Sequence, residues 1–280
     1  MKKVIVATNF MPESINALHY AAGLAQEQNY ELILFYLYNP SIHAINARIS
    51  MSSMERLFSH NEEKLIALGK EIIEMYNVRL QTHFATGDFF EELELCINAF
   101  DADLVVMGMA QKSIEQDILG NTTTAAIKRL KVPLLAIPVT AKYQGIKNIL
   151  FTVDVFRCLH KRALNRIREV AKDFGAVVEV FHVKEEIRKI QESRIGRELI
   201  EEEMNDVSYF YKNIESPEIV KAIREEIRES NSDLLIMIPL KYGFWDSLVH
   251  RSKTKIMAAG AKIPLLSLPA VRYMRETQIA

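Results

Sequence analysis

Three short segments of this chain carry residues that could hold a charged ligand. The loop GMAQKSIEQDILGNTT, residues 108–123, has a glycine at its start and another near its end, and it leads into a helical pattern. Glycine lets a ligand approach the backbone closely, and the first N–H groups of a helix attract anions. Two strand patterns end in Thr8-Asn9 and in Val153-Asp154, which add hydroxyl, amide and carboxylate groups. These residue types indicate an anion site.

Other kinds of chemistry have no matching pattern. The seven histidines are scattered, and no H-x-x-x-H or Cys–His spacing suits a metal, so we expect no metal site. There is no G-x-S-x-G nucleophile elbow and no Walker A loop. We therefore assign no catalytic residue.

The chain repeats itself. KVPLLAIP at 131–138 returns as KIPLLSLP at 262–269, DLVVMG at 103–108 as DLLIMI at 233–238, and VIVATN at 4–9 as ILFTVD at 149–154. The order is the same both times, and a unit of roughly 140 residues is a normal size for one core. We therefore predict two domains, residues 1–141 and 145–280.

Each copy alternates short apolar strands with longer amphipathic helices. The strands are predicted at 4–8, 32–38, 78–87, 104–108 and 133–138, and then at 149–154, 177–183, 207–213, 234–238 and 264–269. The helices are predicted at 12–28, 55–76, 89–100 and 122–130, and then at 158–173, 186–204, 217–230 and 252–260. This alternation is typical of βαβ units, so each copy is predicted to be a doubly wound α/β domain with helices on both faces of a parallel sheet.

Prolines begin the repeated PLLAIP and PLLSLP segments, at Pro133 and Pro264. Proline donates no hydrogen bond to a sheet, so it marks the start of a strand or a sheet edge. An apolar edge strand needs a partner, and its own duplicate is the best one available. We predict that these two segments pair the domains about a local two-fold axis.

Composition narrows the class of protein. The chain has 280 residues, of which 49% are hydrophobic and 25% charged, with a net charge of −1. The balance of charge disfavours a general nucleic-acid binder, and no apolar run is long enough to cross a membrane. Two cysteines exclude a disulfide framework. With no signal-peptide pattern, we expect a cytoplasmic protein.

The motifs together resemble the universal stress protein family over essentially the whole chain. The resemblance rests on the end of strand one, on LGNTTTAAIKRLKVPLLAIP after strand four, and on FWDSLVHRSKTKIMAAGAKIPLLSLP in the second copy. It implies five-stranded parallel sheets of order 3-2-1-4-5, pairing through the last strand and frequent dimers. ATP-binding members carry G-x2-G-x9-G-[ST] in this loop and an aspartate at the end of strand one.

Neither copy keeps that pattern whole. In the first copy, Gly108 and Gly120 match the first and third glycines, but Gln111 replaces the second and the spacing is one residue short. Asn121 stands at the Ser/Thr position, although Thr122 follows immediately, and Asn9 replaces the aspartate. In the second, Asp154 and Ser252 match, but the glycine positions hold Ile238, Lys241 and Arg251. These side chains would fill the space that a phosphate needs, so we predict that the second copy has lost nucleotide binding.

The leading hypothesis is a cytoplasmic tandem universal stress protein that acts as a sensor or binding module. ATP or another adenine nucleotide would bind in the first copy, in a cleft formed by Thr8, Asn9, Leu37, Gly108, Gly120, Asn121 and Thr122. Two alternatives remain open from the sequence: slow ATP hydrolysis in the same cleft, and a ligand-free scaffold that binds other proteins.

Overall fold

Helices and strands alternate through both halves of the chain. The computed structural model describes residues 1–39, 51–109, 121–153, 161–184, 190–216, 218–238 and 263–269. The first half contains β1 (Lys3–Thr8), α1 (Pro12–Gln28), β2 (Glu31–Tyr38), α2 (Met51–Tyr76), β3 (Arg79–Thr86), α3 (Phe89–Phe100), β4 (Leu104–Met109), α4 (Asn121–Arg129) and β5 (Leu134–Pro138). The second contains β6 (Asn148–Val153), α5 (Lys161–Phe174), β7 (Val177–Lys184), α6 (Ile190–Glu203), β8 (Tyr209–Glu215), α7 (Ile219–Glu229), β9 (Leu234–Met237) and β10 (Leu265–Ser267).

The ten described strands form one sheet in the order β3-β2-β1-β4-β5-β10-β9-β6-β7-β8. Within each half the pairing is parallel and the order is 3-2-1-4-5, which confirms the predicted fold. The halves meet where β5 and β10 pair antiparallel, with Leu135 opposite Leu266. The predicted pairing of the two PLL segments is therefore confirmed, while the domain limits 1–141 and 145–280 stay a prediction.

The two prolines lie directly before these central strands. The carbonyl of Pro133 accepts a hydrogen bond from Val105 N at 3.0 Å, and that of Pro264 accepts one from Leu235 N at 3.0 Å. Proline keeps its carbonyl, so each residue bonds to its parallel neighbour although it cannot donate. The duplicated prolines thus occupy equivalent positions on the two sides of the junction.

Two aspartates repeated in the sequence also have equivalent roles. Asp103 accepts a hydrogen bond from Lys3 N at 2.9 Å, just before β4 and at the start of β1. Asp233 accepts bonds from Lys147 N and Asn148 N at 2.8 and 2.9 Å, just before β9 and at the start of β6. Each aspartate therefore aligns the first and fourth strands of its half.

Some predicted boundaries are wrong by a few residues. The strand predicted at 207–213 runs from Tyr209 to Glu215, because Val207 N bonds to Met204 O in a turn that must finish first. The helix predicted from residue 55 begins at Met51, and the last helix, predicted at 252–260, lies outside the described residues.

A hydrophobic core covers each face of the sheet. The core on the α1 and α5 face runs across the junction and includes Leu135 and Leu266. The connecting segment packs on the same face: Tyr143 contacts Tyr20 edge to face at 5.2 Å, and Asn16 Nδ2 bonds to Ala141 O at 2.9 Å. The link between the halves is therefore held against α1.

The described helices contain no stretch long and apolar enough to span a bilayer. In the same part of the chain, no group of three or more His, Cys, Asp or Glu residues is placed to hold a metal. Cys96 is buried in α3, while Cys158 lies outside the described residues.

Candidate functional site

A cavity of about 300 Å³ opens at the carboxyl ends of β1 and β4. The order of the strands reverses here, because β2 lies on one side of β1 in the sheet and β4 lies on the other. Ligands of open parallel sheets bind at such points. The described residues that line the cavity are Ala7, Thr8, Asn9, Glu13, Ser14, Leu37, Phe89, Met107, Gly108, Thr122 and Thr123.

Five of the seven predicted site residues meet around this cavity: Thr8, Asn9, Leu37, Gly108 and Thr122. Of the other two, Asn121 is the first residue of α4, and Gly120 lies outside the described part of the chain. The structure thus brings most of the predicted set together, and ligand binding by it stays a prediction.

Hydroxyl groups hold the turn between β1 and α1. Phe10 has a left-handed φ of 61°. Its N–H donates to Thr8 Oγ1 at 3.1 Å, and Ser14 Oγ donates to Met11 O at 2.9 Å. Since the Ser14 proton is used in this way, the 3.2 Å contact between Thr8 Oγ1 and Ser14 Oγ is donated by Thr8. Both hydroxyls are buried and committed to the turn.

Asn9 replaces the aspartate that the resemblance leads one to expect. Its Oδ1 accepts a hydrogen bond from Met11 N at 3.1 Å and so closes the turn. The group that Asn9 offers in addition is its amide NH₂, a donor, whereas an aspartate would offer a second acceptor oxygen. The position is therefore suited to a ligand atom that accepts a hydrogen bond.

Gly108 is required by the packing of α1. A Cβ atom at this position would lie 2.4 Å from Glu13 O, 2.5 Å from Glu13 C and 2.9 Å from Ser14 N. All three are backbone atoms, which cannot rotate away as the end of a side chain can. The match of Gly108 to the first glycine of the ATP-binding loop has therefore a structural cause that needs no ligand.

The start of α4 is hydrogen-bonded to β4 at Gly108. Thr123 Oγ1 donates to Gly108 O at 3.2 Å, and this threonine is buried. Thr122 lies beside it on the cavity wall, where α4 begins. The positive end of that helix is thus close to the cavity, as an anion site requires.

Glu13 is the one charged residue among the described residues that line the cavity. The lining also contains no histidine next to a hydroxyl, and the hydroxyls of Thr8 and Ser14 bond within the turn. In these described residues we find no nucleophile paired with a base.

Six lining residues were missed by the sequence reasoning: Ala7, Glu13, Ser14, Phe89, Met107 and Thr123. Glu13 and Ser14 follow Pro12, a proline at the start of a helix, which places them in its first turn next to strand one. Phe89 follows Asp88, the N-cap of α3, whose side chain accepts hydrogen bonds from Phe90 N and Glu91 N. These start signals could have identified Glu13, Ser14 and Phe89.

The second half differs at the position of Gly108. Ile238, which ends the repeated segment DLLIMI, packs its side chain against the hydrophobic core on the α5 face. A helix cannot approach a strand at isoleucine as closely as it does at glycine. Asp154, Lys241, Arg251 and Ser252 lie outside the described residues, so the loss of binding predicted for this half stays a prediction.

The fold and the cavity define a class: an α/β protein with two doubly wound halves joined edge to edge and a ligand-sized cleft at the switch point of the first. Residues 1–138 match the model of the Universal stress protein family, so the first half is a universal stress protein domain. A universal stress protein of Methanocaldococcus jannaschii is 25% identical over 138 residues, which are 49% of this chain and 81% of that protein.

Solved structures resemble this chain over 96% of its length. A universal stress protein from Archaeoglobus fulgidus DSM 4304 superimposes with a TM-score of 0.72 at 18% identity, covering 96% of this chain and 98% of that one. A putative universal stress protein from Pseudomonas aeruginosa UCBPP-PA14 gives 0.57 at 14% identity, covering 96% and 93%. At such identities the likeness concerns the fold, and it extends over both halves.

Proposed function

We propose that this chain is a tandem universal stress protein that acts as a sensor or binding module in the cytoplasm, with domains at 1–141 and 145–280. Its first domain binds ATP or another adenine nucleotide. The observation that carries this proposal is the cavity at the end of β1 and β4, where Thr8, Asn9, Leu37, Gly108 and Thr122 come together.

The apolar and the polar residues of the cavity lining suit different parts of a nucleotide. Leu37, Phe89 and Met107 supply apolar surface for a planar base. Asn9 and Thr122 supply polar groups for the sugar and a phosphate, the latter beside the start of α4. A volume of about 300 Å³ lies at the lower end of the range for small-molecule sites.

Binding without rapid turnover fits the side chains better than catalysis does. The hydroxyls of Thr8 and Ser14 are bonded to each other and to Met11 O, so neither is activated by a base. Slow hydrolysis remains the alternative activity, and a partner-binding scaffold without a ligand remains the alternative role.

Calorimetric titration of the full chain with ATP and with AMP, in the presence of Mg²⁺, tests the proposal. We expect one nucleotide per chain, bound in the first domain. Leu37→Asp places a charge against the base and is expected to abolish the heat of binding. Leu95→Asp is the control, because Leu95 is 60% exposed on α3 and does not line the cavity, and it should leave the heat of binding unchanged.

Three results would change this conclusion. The absence of saturable binding at millimolar nucleotide would favour the scaffold. Two nucleotides per chain would show that the second half binds as well. Binding that survives Gly120→Arg, which copies the second half into the first, would place the site elsewhere. Release of phosphate measured in the same samples separates binding from hydrolysis.

A further inference from the structure

Two glutamates are buried together in the second half, far along the sheet from the cleft. Glu179 lies on β7 and Glu226 on α7, and each residue is only 4% exposed. The strand and the helix pack against each other, and the two carboxyl groups interact between them. Buried glutamates are rare unless they are paired with a cation.

In the described part of the chain, the cation that acts on this pair is Lys212, and it is committed to other partners. Lys212 Nζ on β8 lies 2.8 Å from Glu226 Oε1 and 2.6 Å from Oε2, and it also contacts Glu229 Oε2 at 3.3 Å. Neither carboxylate oxygen of Glu179 has a hydrogen-bond partner of normal geometry. One ammonium group thus faces three carboxyl groups, and the charge of an ionised Glu179 is only partly compensated.

The groups that face Glu179 come from three elements. The helix contributes Glu226 and, just after its end, Ser230; β8 contributes Lys212; and β6 contributes the apolar Leu150 as register partner. Burial and the negative charge of Glu226 raise the pKa of Glu179 to about 7, against the smaller opposing effects of Lys212 and Ser230. A neutral Glu179 can donate its proton to the neighbouring carboxylate.

We propose that Glu179 and Glu226 form a proton-binding site, in which a shared proton holds α7 against the sheet and loss of that proton loosens the helix. The ligand is the proton itself. This helix packs on the core through Ala222, Ile223 and Ile227, so loosening it would loosen that apolar layer of the second half. This inference is independent of nucleotide binding in the first half.

The sign of the effect follows from linkage. Because the folded-state pKa of Glu179 is raised from about 4.5 to about 7, the unfolded chain loses this proton first as pH rises. The contribution to stability is therefore complete below about pH 4.5 and is lost as pH rises through 7. Asp206 acts in the opposite direction, because the hydrogen bond from Lys172 lowers its pKa.

Thermal unfolding of the full chain between pH 5.5 and 8 tests the site, with Glu179→Gln as a permanent mimic of the protonated acid. We expect the melting temperature of the variant, relative to that of the native protein, to rise by roughly 4–8 °C between pH 5.5 and pH 8. Glu225→Gln is the matched control, because Glu225 is exposed on the same helix. The control should follow the native protein at every pH.

Infrared spectroscopy of the native protein gives a second, direct readout. A protonated-carboxyl band is expected at pH 6, fading with a midpoint near pH 7 and absent from Glu179→Gln. If that variant does not fold, Glu179→Met serves in its place. The proposal is overturned if the native band is absent at pH 6, or if native and variant melting temperatures change in parallel with pH.

Discussion

Replacing Gly108 by alanine tests the geometry of the cleft most directly. The new Cβ would lie 2.4 Å from Glu13 O, whereas ordinary contacts begin near 3.4 Å. Because the atoms on the other side belong to the backbone of α1, the first turn of that helix must move away by about 1 Å. The 3.2 Å contact between Thr8 and Ser14 crosses the same turn and would lengthen with it.

The size of the effect follows from this overlap. Forcing one extra carbon into a packed core costs typically about 1–3 kcal/mol. A cost of about 2 kcal/mol corresponds to a fall of roughly 4–8 °C in melting temperature for a chain of this size. The wall of the cleft moves as well, so nucleotide affinity is expected to fall together with stability.

Differential scanning calorimetry and nucleotide titration of Gly108→Ala measure both effects. Gly69→Ala is the matched control, since its Cβ would meet only the side-chain ends of Leu80 and Thr82 at 3.0 Å. Those atoms can shift, and alanine is favoured over glycine within a helix by about 1 kcal/mol. A Gly108→Ala protein that melts within about 1 °C of the native one and binds nucleotide equally well would refute the close approach of α1 to β4.

Two further substitutions test the junction and a helix start. Leu135→Lys places an ammonium group opposite Leu266 in the apolar junction. Losing the leucine alone costs about 2–5 kcal/mol, so urea unfolding should begin at lower concentration. Leu95→Lys, at a leucine that is 60% exposed on α3, should leave the midpoint almost unchanged. Asp88→Ala removes an N-cap that accepts two backbone bonds, and should cost about 1 kcal/mol in the same assay, most of which Asp88→Ser should recover.

Much of the fold could be predicted because its signals are local or repeated. Alternation of strands and helices depends on periodicity within each segment, and the duplicated PLL segments marked the strands that join the halves. The part of the candidate site that could be predicted follows from the topology. Thr8, Asn9 and Gly108 lie at the ends of β1 and β4, and the ends of two parallel strands that pair with each other lie side by side.

The boundaries and the remaining lining residues were harder to predict. Val207 belongs to a strand-like run, yet its N–H is used by a turn, and only the hydrogen bond to Met204 shows this. Thr123 was missed because its hydroxyl reaches the cleft through a contact between elements, to Gly108 O, and not through any sequence spacing.

What the sequence by itself determined is the duplication, the parallel α/β fold of each half and the pairing of the last strands. What only the tertiary structure decided is the role of single residues. Gly108 is a glycine because a helix 95 residues earlier in the chain crosses it at contact distance. Glu179 stands in VVEVFHV, where a strand covered on both faces shows no alternation that would separate a buried carboxyl from an exposed one. Distances and burial of this kind arise when segments far apart in the chain pack together, and no local pattern records them.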